Sequence, residues 1–404
     1  MRLRKADLRA RVNADLALRF QASGLTSFAG LELLRRYFQS IHLTERIRRH
    51  LGTAMPSTDF GVVSMILLLL TLVVTGGRRV RHLLYLDGDP LALRLCGLRR
   101  LPTPFTVGRW LARLRMRHLD GLLHLNEELV ADAIRRSGVK RLTIDVDGTV
   151  VSTGLQVERA RRGYNPHHRK VPSYYPITVY EAQTGQILRV RNRSGNVHDG
   201  KASIGFLRDL FRQLRGNLGT GYALECRMDG AFFRRDVLEL LDRNHAEYAI
   251  KVPFFRWVGM KALIQGCRFW QPVDVTVSCF EACVLLKPWD RYVRVVVYRK
   301  RVHHETAKNF QLDLFDPADG HYEYSAVVTN KQLSGPYLWR FICGRGAHEK
   351  ALGELKDGFA FDCLPTMKYA ANSAWQIVSV LAFNLIRGFQ VATTAERLTL
   401  LFLF

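Results

Sequence analysis

The chain has 404 residues, enough for two to three domains around a sizeable core, and its 48% hydrophobic and 24% charged composition is ordinary for a soluble globular protein. Its charge is not ordinary: 60 Lys and Arg stand against 36 Asp and Glu, a net +24 that points to a polyanionic partner, nucleic acid before membrane, with a merely solvated basic surface as the lesser alternative. Seven cysteines, odd in number and without a CxxC pair, argue against a disulfide framework and a zinc site, and favour buried free thiols in a reducing cytosol.

The N-terminal "MRLRKADLRARVNADL" is basic with no apolar core behind it, so it is not a secretory signal. "GLELLRRYFQSIHLTERIRRHL" carries a helical pattern. The apolar run "VVSMILLLLTLVV", residues 62–74, falls short of the roughly 20 residues a bilayer span needs. Gly76, Gly77 and a basic run close it, as expected of a buried helix ending on a glycine cap. In "LPTPFTVGRWLARLRMRHL" Thr106 is a candidate N-cap, and Arg109, Arg113, Arg115 and Arg117 fall on the helix that follows. This is either the groove-reading helix of a helix-turn-helix or a helix with a solvated basic face. "LNEELVADAIRRSG" reads as a further helix, stopping at Ser137-Gly138.

From residue 141 strands and helices alternate, which predicts a mixed α/β core. In "RLTIDVDGTVV" Leu142, Ile144 and Val146 share one face of a strand; Thr143, Asp145, Asp147 and Thr149 share the other. Two aspartates on one face of a strand are unexpected, because aspartate is depleted there. "YYPITVYEAQTGQILRVRNRSGN" reads as two strands joined through Gly185; a helix, the strand "YALECRMDG", a helix and the strand "EYAIKVP" follow. Residues 258–330 are strand-rich and nearly helix-free, and the chain then turns helical. The closing "LTLLFLF" fits no pattern.

Three acidic positions carry candidate chemistry: the Asp145/Asp147 pair, Asp229 where a strand ends in "RMDG", and Glu349 in "GRGAHEKALGELKDGF". On a helix Arg345, Glu349 and Lys356 fall within about 40° of one another, on one face. Phosphodiester cleavage needs an activated oxygen nucleophile, charge neutralisation and a supported leaving group. Two Mg²⁺ about 4 Å apart supply all three, and hard cations take carboxylate ligands. Each residue also has a plainer reading. Asp229 could be a turn cap, Glu349 the surface partner of Arg345, and one strand aspartate the partner of a neighbouring arginine.

Together these residues resemble the DDE transposases of bacterial insertion sequences. "TIDVDGTVV" is similar to that family's first-strand motif and selects Asp147 over Asp145; "RMDGAFF" resembles the second motif, at Asp229; "RGAHEKALGELK" matches the Arg-x3-Glu-x6-Lys signature at Arg345, Glu349 and Lys356. "RSGNVHDG" and "NSAWQIVSVLAFNLIRG" also look like family segments, so the likeness covers about residues 140–390. One departure is Ile342, where related enzymes have a tyrosine.

The resemblance implies an RNase H-like catalytic core interrupted by a β-rich insertion and preceded by an all-helical DNA-binding region. The corresponding divisions are 1–136 (helical, terminal-repeat binding), 137–257 (catalytic core, first part), 258–330 (β-rich insertion) and 331–404 (core completion). It also implies a Mg²⁺-dependent enzyme, Mn²⁺ substituting, with Asp147, Asp229 and Glu349 as catalytic metal ligands. Its partner would be double-stranded DNA, both terminal inverted repeats and target, bound by a homodimer or larger synaptic complex in a bacterial cytoplasm, at the nucleoid. Arg345 and Lys356 would contact DNA near the scissile phosphate; Arg234, Arg235, Lys251, Arg109 and Arg113 are further candidate DNA contacts. The alternatives are a catalytically inactive DNA-binding derivative and a membrane-associated basic protein anchored through 62–75.

Overall fold

The computed structural model describes residues 25–163, 165, 170–197, 199–302 and 322–393. The basic N-terminal stretch, His198 and the apolar "LTLLFLF" end lie outside the described residues.

Residues 30–137 hold six α-helices: α1 (Gly30–Ser40), α2 (Leu43–Leu51), α3 (Val62–Val74), α4 (Pro90–Cys96), α5 (Pro104–Ala112) and α6 (Leu119–Ser137). The apolar α3 is buried without a break from Met65 to Val73, which explains why it needs no polar face. It stops as its sequence predicts, with Gly76 at φ +85° and the Gly77 amide donating to the Leu72 carbonyl at 2.8 Å. Among the described residues no helix is long and apolar enough to cross a membrane.

Helix α5 departs from the sequence reading twice. Its N-cap is Thr103, whose hydroxyl accepts from the Thr106 amide at 3.2 Å; Pro104 takes the first helical position, where a missing N–H costs nothing. It also ends at Ala112, so Arg115 and Arg117 lie beyond it. There the Arg115 amide donates to His118 Nδ1 at 2.8 Å, closing a 3₁₀ turn over Met116–His118 that re-aims the chain into α6.

The rest is built on a nine-stranded mixed sheet. Its strands are β1 (Arg141–Gly148), β4 (Ile177–Glu181), β5 (Gln186–Arg191), β6 (Ala223–Met228), β7 (Glu247–Lys251), β8 (Gln271–Pro272), β9 (Val277–Leu286), β10 (Arg291–Arg301) and β11 (Tyr322–Thr329). Strands β2 (Val151–Ser152) and β3 (Ser173–Tyr174) pair apart from it. The order is β5-β4-β1-β6-β7-β11-β10-β9-β8, with β1, β6 and β7 parallel and every other neighbouring pair antiparallel. The stretch expected as an insertion therefore continues the same sheet: β11 pairs with β7, Val327 opposite Lys251.

Among the described residues six helices complete this half, the first five being α7 (Asp199–Leu218), α8 (Arg235–Arg243), the short α9 (Met260–Gly266) inside that strand-rich stretch, α10 (Gly335–Cys343) and α11 (Gly346–Phe359). Leu142, Ile144 and Val146 pack on one sheet face in a core with Phe206, Leu210, Val237 and Leu241 of α7 and α8. Each such fully buried aliphatic side chain contributes about 1.5–3 kcal/mol. A second core joins the N-terminal helices to α11 and to α12 (Tyr369–Thr393), which is buried from Ala371 to Leu385. The other face of β1, with Thr143, Asp145 and Asp147, is left to polar partners.

Candidate active site

Parallel pairing of β1, β6 and β7 brings their carboxyl ends to one edge of the sheet, where sites of such sheets lie. Val146 is opposite Met228, so Asp147 and Asp229 each stand one residue beyond that pair, on adjacent strands. Asp147 is mostly buried. Its Oδ1 accepts from the Gly148 amide at 2.9 Å, and its Oδ2 from Arg345 Nη1 at 2.7 Å. Burial pushes its carboxyl up to about 6; the like charge of Asp229 adds to the rise and Arg345 opposes it. Asp229 also accepts from the Ala231 amide at 3.0 Å, capping the 3₁₀ turn Gly230–Phe232, which is the turn-cap role its sequence position allowed.

Glu349 lies in the first turn of α11, its side chain 62% exposed, and its Oε1 accepts from Arg345 Nη2 at 3.0 Å. Arg345 thus spans Asp147 and Glu349 with two different nitrogens, a fork a lysine cannot reproduce. From the same face of α11, Lys356 donates to the Val150 carbonyl at 3.1 Å, and burial lowers its pKa. Helix α11 is therefore laid across the end of β1 by Arg345 and Lys356 together.

Asp145 belongs to another unit. It is fully buried and receives two hydrogen bonds from Arg227 of β6, at 2.6 and 2.7 Å. Burial raises its pKa, against the pull of Arg227. The remaining Arg227 Nη1 donates to the Phe341 carbonyl at the end of α10, at 3.0 Å. A Cβ on Gly344 would come within 2.1 Å of that nitrogen, so the α10–α11 corner closes on the guanidinium only because residue 344 has no side chain.

Sequence reasoning did not single out His348. It is completely buried, stacked on Tyr180 with ring centroids 5.5 Å apart, and its Nε2 lies 2.9 Å from the Thr178 hydroxyl. Thr178 pairs with Asp147 across β1 and β4, and its hydroxyl donates to the Asp147 carbonyl at 3.3 Å. Burial depresses His348 to about 3, helped by Arg345 and Arg227, so it is neutral at physiological pH. Its one sequence signal was position: one residue before Glu349, on the inward face of α11. Arg227 left a clearer signal, because Glu225, Arg227 and Asp229 alternate along β6 as Thr143, Asp145 and Asp147 do along β1.

The other basic candidates either have partners of their own or stand exposed. Arg234 holds Asp236 through two bonds of 2.9 and 2.8 Å, and Arg235 holds Glu239 at 2.8 Å, so both guanidinium groups already have carboxylate partners. Lys251 is exposed at the end of β7. Arg109 lies over the Phe105 ring at 5.1 Å, and Arg113 donates to the Ser57 carbonyl at 3.2 Å. Ile342 is buried among Leu338, Val296 and Tyr298, a core role in this chain.

The donor set suits a hard divalent cation: two adjacent aspartates supply oxygen ligands, and Asp147 is held near 6 partly by a repulsion that a cation between them would relieve. The set is not closed. Among the described residues no three His, Cys, Asp or Glu side chains stand close enough to hold an ion, because Glu349 is turned toward Arg345.

Residues 8–400 match the family described as Transposase DDE domain group 1. No curated protein matches the chain. Among solved structures it is similar to a piggyBac transposase synaptic complex with hairpin DNA, determined by cryo-EM, at 10% identity and a TM-score of 0.49, over 92% of this chain and 79% of that one.

Proposed function

The chain belongs to the transposase DDE domain family, and from that premise we propose that it cleaves DNA strands at the terminal inverted repeats of a bacterial insertion sequence and joins the freed 3′-OH to target DNA. The observation that carries this reading is the edge itself: Asp147 and Asp229 on adjacent parallel strand ends, with Arg345 joining Asp147 to Glu349. In this reading β5-β4-β1-β6-β7 is the RNase H-like core, and residues 1–136 recognise the terminal repeats within a dimer or larger synaptic complex.

Asp147, Asp229 and Glu349 would hold two Mg²⁺, or Mn²⁺. When bound, these ions supply Lewis acidity and an activated oxygen nucleophile. The protein's part is positional. The Gly148 amide holds the Asp147 carboxylate, the Thr178 hydroxyl holds the Asp147 backbone carbonyl, and the Ala231 amide holds the Asp229 carboxylate. Arg345 neutralises Asp147 and Glu349 in the resting chain. Released by a cation, its planar fork is free to take a phosphate in two parallel bonds. Glu349 is exposed near the N-terminus of α11 and shares Arg345 with Asp147.

Strand cleavage on a duplex carrying the element's terminal repeat, with Mg²⁺ and then with EDTA, tests this. Metal-dependent cuts at the repeat boundary are expected. A second reading, an inactive DNA-binding derivative, is favoured by one observation: among the described residues no three His, Cys, Asp or Glu side chains form a group that could hold an ion. Repeat binding without cleavage under either metal would establish it.

A further inference from the structure

Alternation across the sheet puts Asp147, Asp229 and Lys251 on one face at one edge, in a row continued by β11 and β10. Two positions further along on that face, Lys300 of β10 stands opposite Glu323 of β11. Here the surface opens into a cleft of about 390 Å³, lined by Gly230, Lys251, Lys300, Glu323, Tyr324 and Trp339. Gly230 directly follows Asp229, so the cleft begins where the carboxylates end. Trp339 of α10 forms a wall, packed on Tyr298 at 4.8 Å between centroids.

Both lysines are exposed. Lys331, two residues beyond β11, is held by Glu225 and Glu247, but neither Lys251 nor Lys300 forms an ion pair among the described residues. Both act electrostatically on the Cys343 thiol at the end of α10, where Asp274 opposes them.

We propose that this cleft carries the phosphodiester backbone of the DNA strand as it leaves the carboxylate edge, with Lys251 and Lys300 on successive phosphates and Trp339 as the wall. Two exposed ammonium groups without an ion pair among the described residues, in a groove that begins beside Asp229 and holds the one carboxylate of Glu323, are complementary to a polyanion. The proposal rests on the transposase reading. It adds a strand path over β11 and β10, the part of the sheet beyond the core.

Cys343 is exposed at the end of α10, four residues after the cleft-lining Trp339, and serves as the reporter. Cys283, also exposed, lies six residues along β9 from the Val277 that pairs with Lys300, and is the internal control. Alkylation of each thiol by a maleimide is timed by mass spectrometry on the full chain, alone and with a saturating mixed-sequence duplex; DNA retention is measured on the same samples. DNA is expected to slow Cys343 several-fold and leave Cys283 unchanged. The K251A/K300A double variant is expected to lose that protection, and K251R/K300R to keep it. Cys343 reacting equally fast with DNA retained, or staying protected in the double alanine variant, would overturn the cleft alone. Failure of the wild-type chain to retain DNA would overturn the transposase reading, and the cleft with it.

Discussion

Arg227 grips Asp145 through two hydrogen bonds of 2.6 and 2.7 Å inside the sheet, and passes a third to the Phe341 carbonyl at 3.0 Å. The two aspartates of β1 therefore divide their tasks. Asp145 holds the arginine on which the α10–α11 corner rests; Asp147, one step nearer the edge, faces Asp229 and Arg345. Burial separates them: Asp145 is 0% exposed, beyond the reach of any substrate.

Breaking this pair leaves a buried charge without its partner. Asp145→Asn and Arg227→Leu are each expected to cost about 3–5 kcal/mol, the usual penalty for orphaning one member of a buried ion pair. Gly344→Ala is expected to cost about 1–3 kcal/mol, because the added methyl overlaps Arg227 Nη1. Urea unfolding measures all three, and losses below about 0.5 kcal/mol would remove Arg227 from its role as a strut.

The pH dependence of Asp147 has a definite sign. Its carboxyl sits at about 6 in the folded chain, against an ordinary aspartate value of about 3.9. Between about pH 4 and 6 the folded state binds more protons than the unfolded one, so this group's contribution to stability falls as pH rises through that window. Asp147→Asn escapes the cost. It is expected to exceed wild type in metal-free stability above pH 6, by up to about 3 kcal/mol at 1.36 kcal/mol per unit, and to converge with it below about pH 4. A stability difference that does not vary with pH would contradict this.

Divalent cations acting at the same carboxylates would reverse that penalty. Mg²⁺ or Mn²⁺ is expected to raise the wild-type Tm, more at pH 8 than at pH 5, where protonated Asp147 cannot ligate. Asp147→Asn and Asp229→Asn are expected to lose the shift. Thermal melts with an EDTA control check it; an undiminished shift in both variants would place the ion elsewhere.

Glu349 separates stability from chemistry. Its side chain is 62% exposed and its bond to Arg345 is a surface pair, so Glu349→Gln is expected to change stability by less than about 1 kcal/mol. Strand cleavage is nonetheless expected to disappear. Unfolding and cleavage measured on the same preparation decide this, and retained cleavage would exclude Glu349 as a ligand.

Much of this was legible in the sequence because the patterns were local. The mixed α/β class, the buried end of α3 and the alternation in β1 depend on neighbours within a few residues. The common face of Arg345 and Lys356 follows from helical geometry alone, and both side chains reach the end of β1. What was not legible depended on distant partners. The end of α5 is set by a 3₁₀ turn that the arginine spacing does not reveal, and its cap by a proline after Thr103. The continuation of the sheet through β11 depends on Val327 meeting Lys251, 76 positions earlier in the chain. His348 looked like any helix residue because its meaning lies in Thr178 and Tyr180 across the core.

The central claim is tested most directly by comparing strand cleavage at the terminal-repeat boundary, with Mg²⁺, for wild type, Asp147→Asn and Asp145→Asn, each confirmed folded at the assay temperature. The expected result is cleavage by wild type, none by Asp147→Asn despite undiminished repeat binding, and residual metal-dependent cleavage by Asp145→Asn in proportion to its folded fraction. Cleavage that survives Asp147→Asn would contradict the assignment of Asp147 as the first metal ligand, and with it the division of labour along β1.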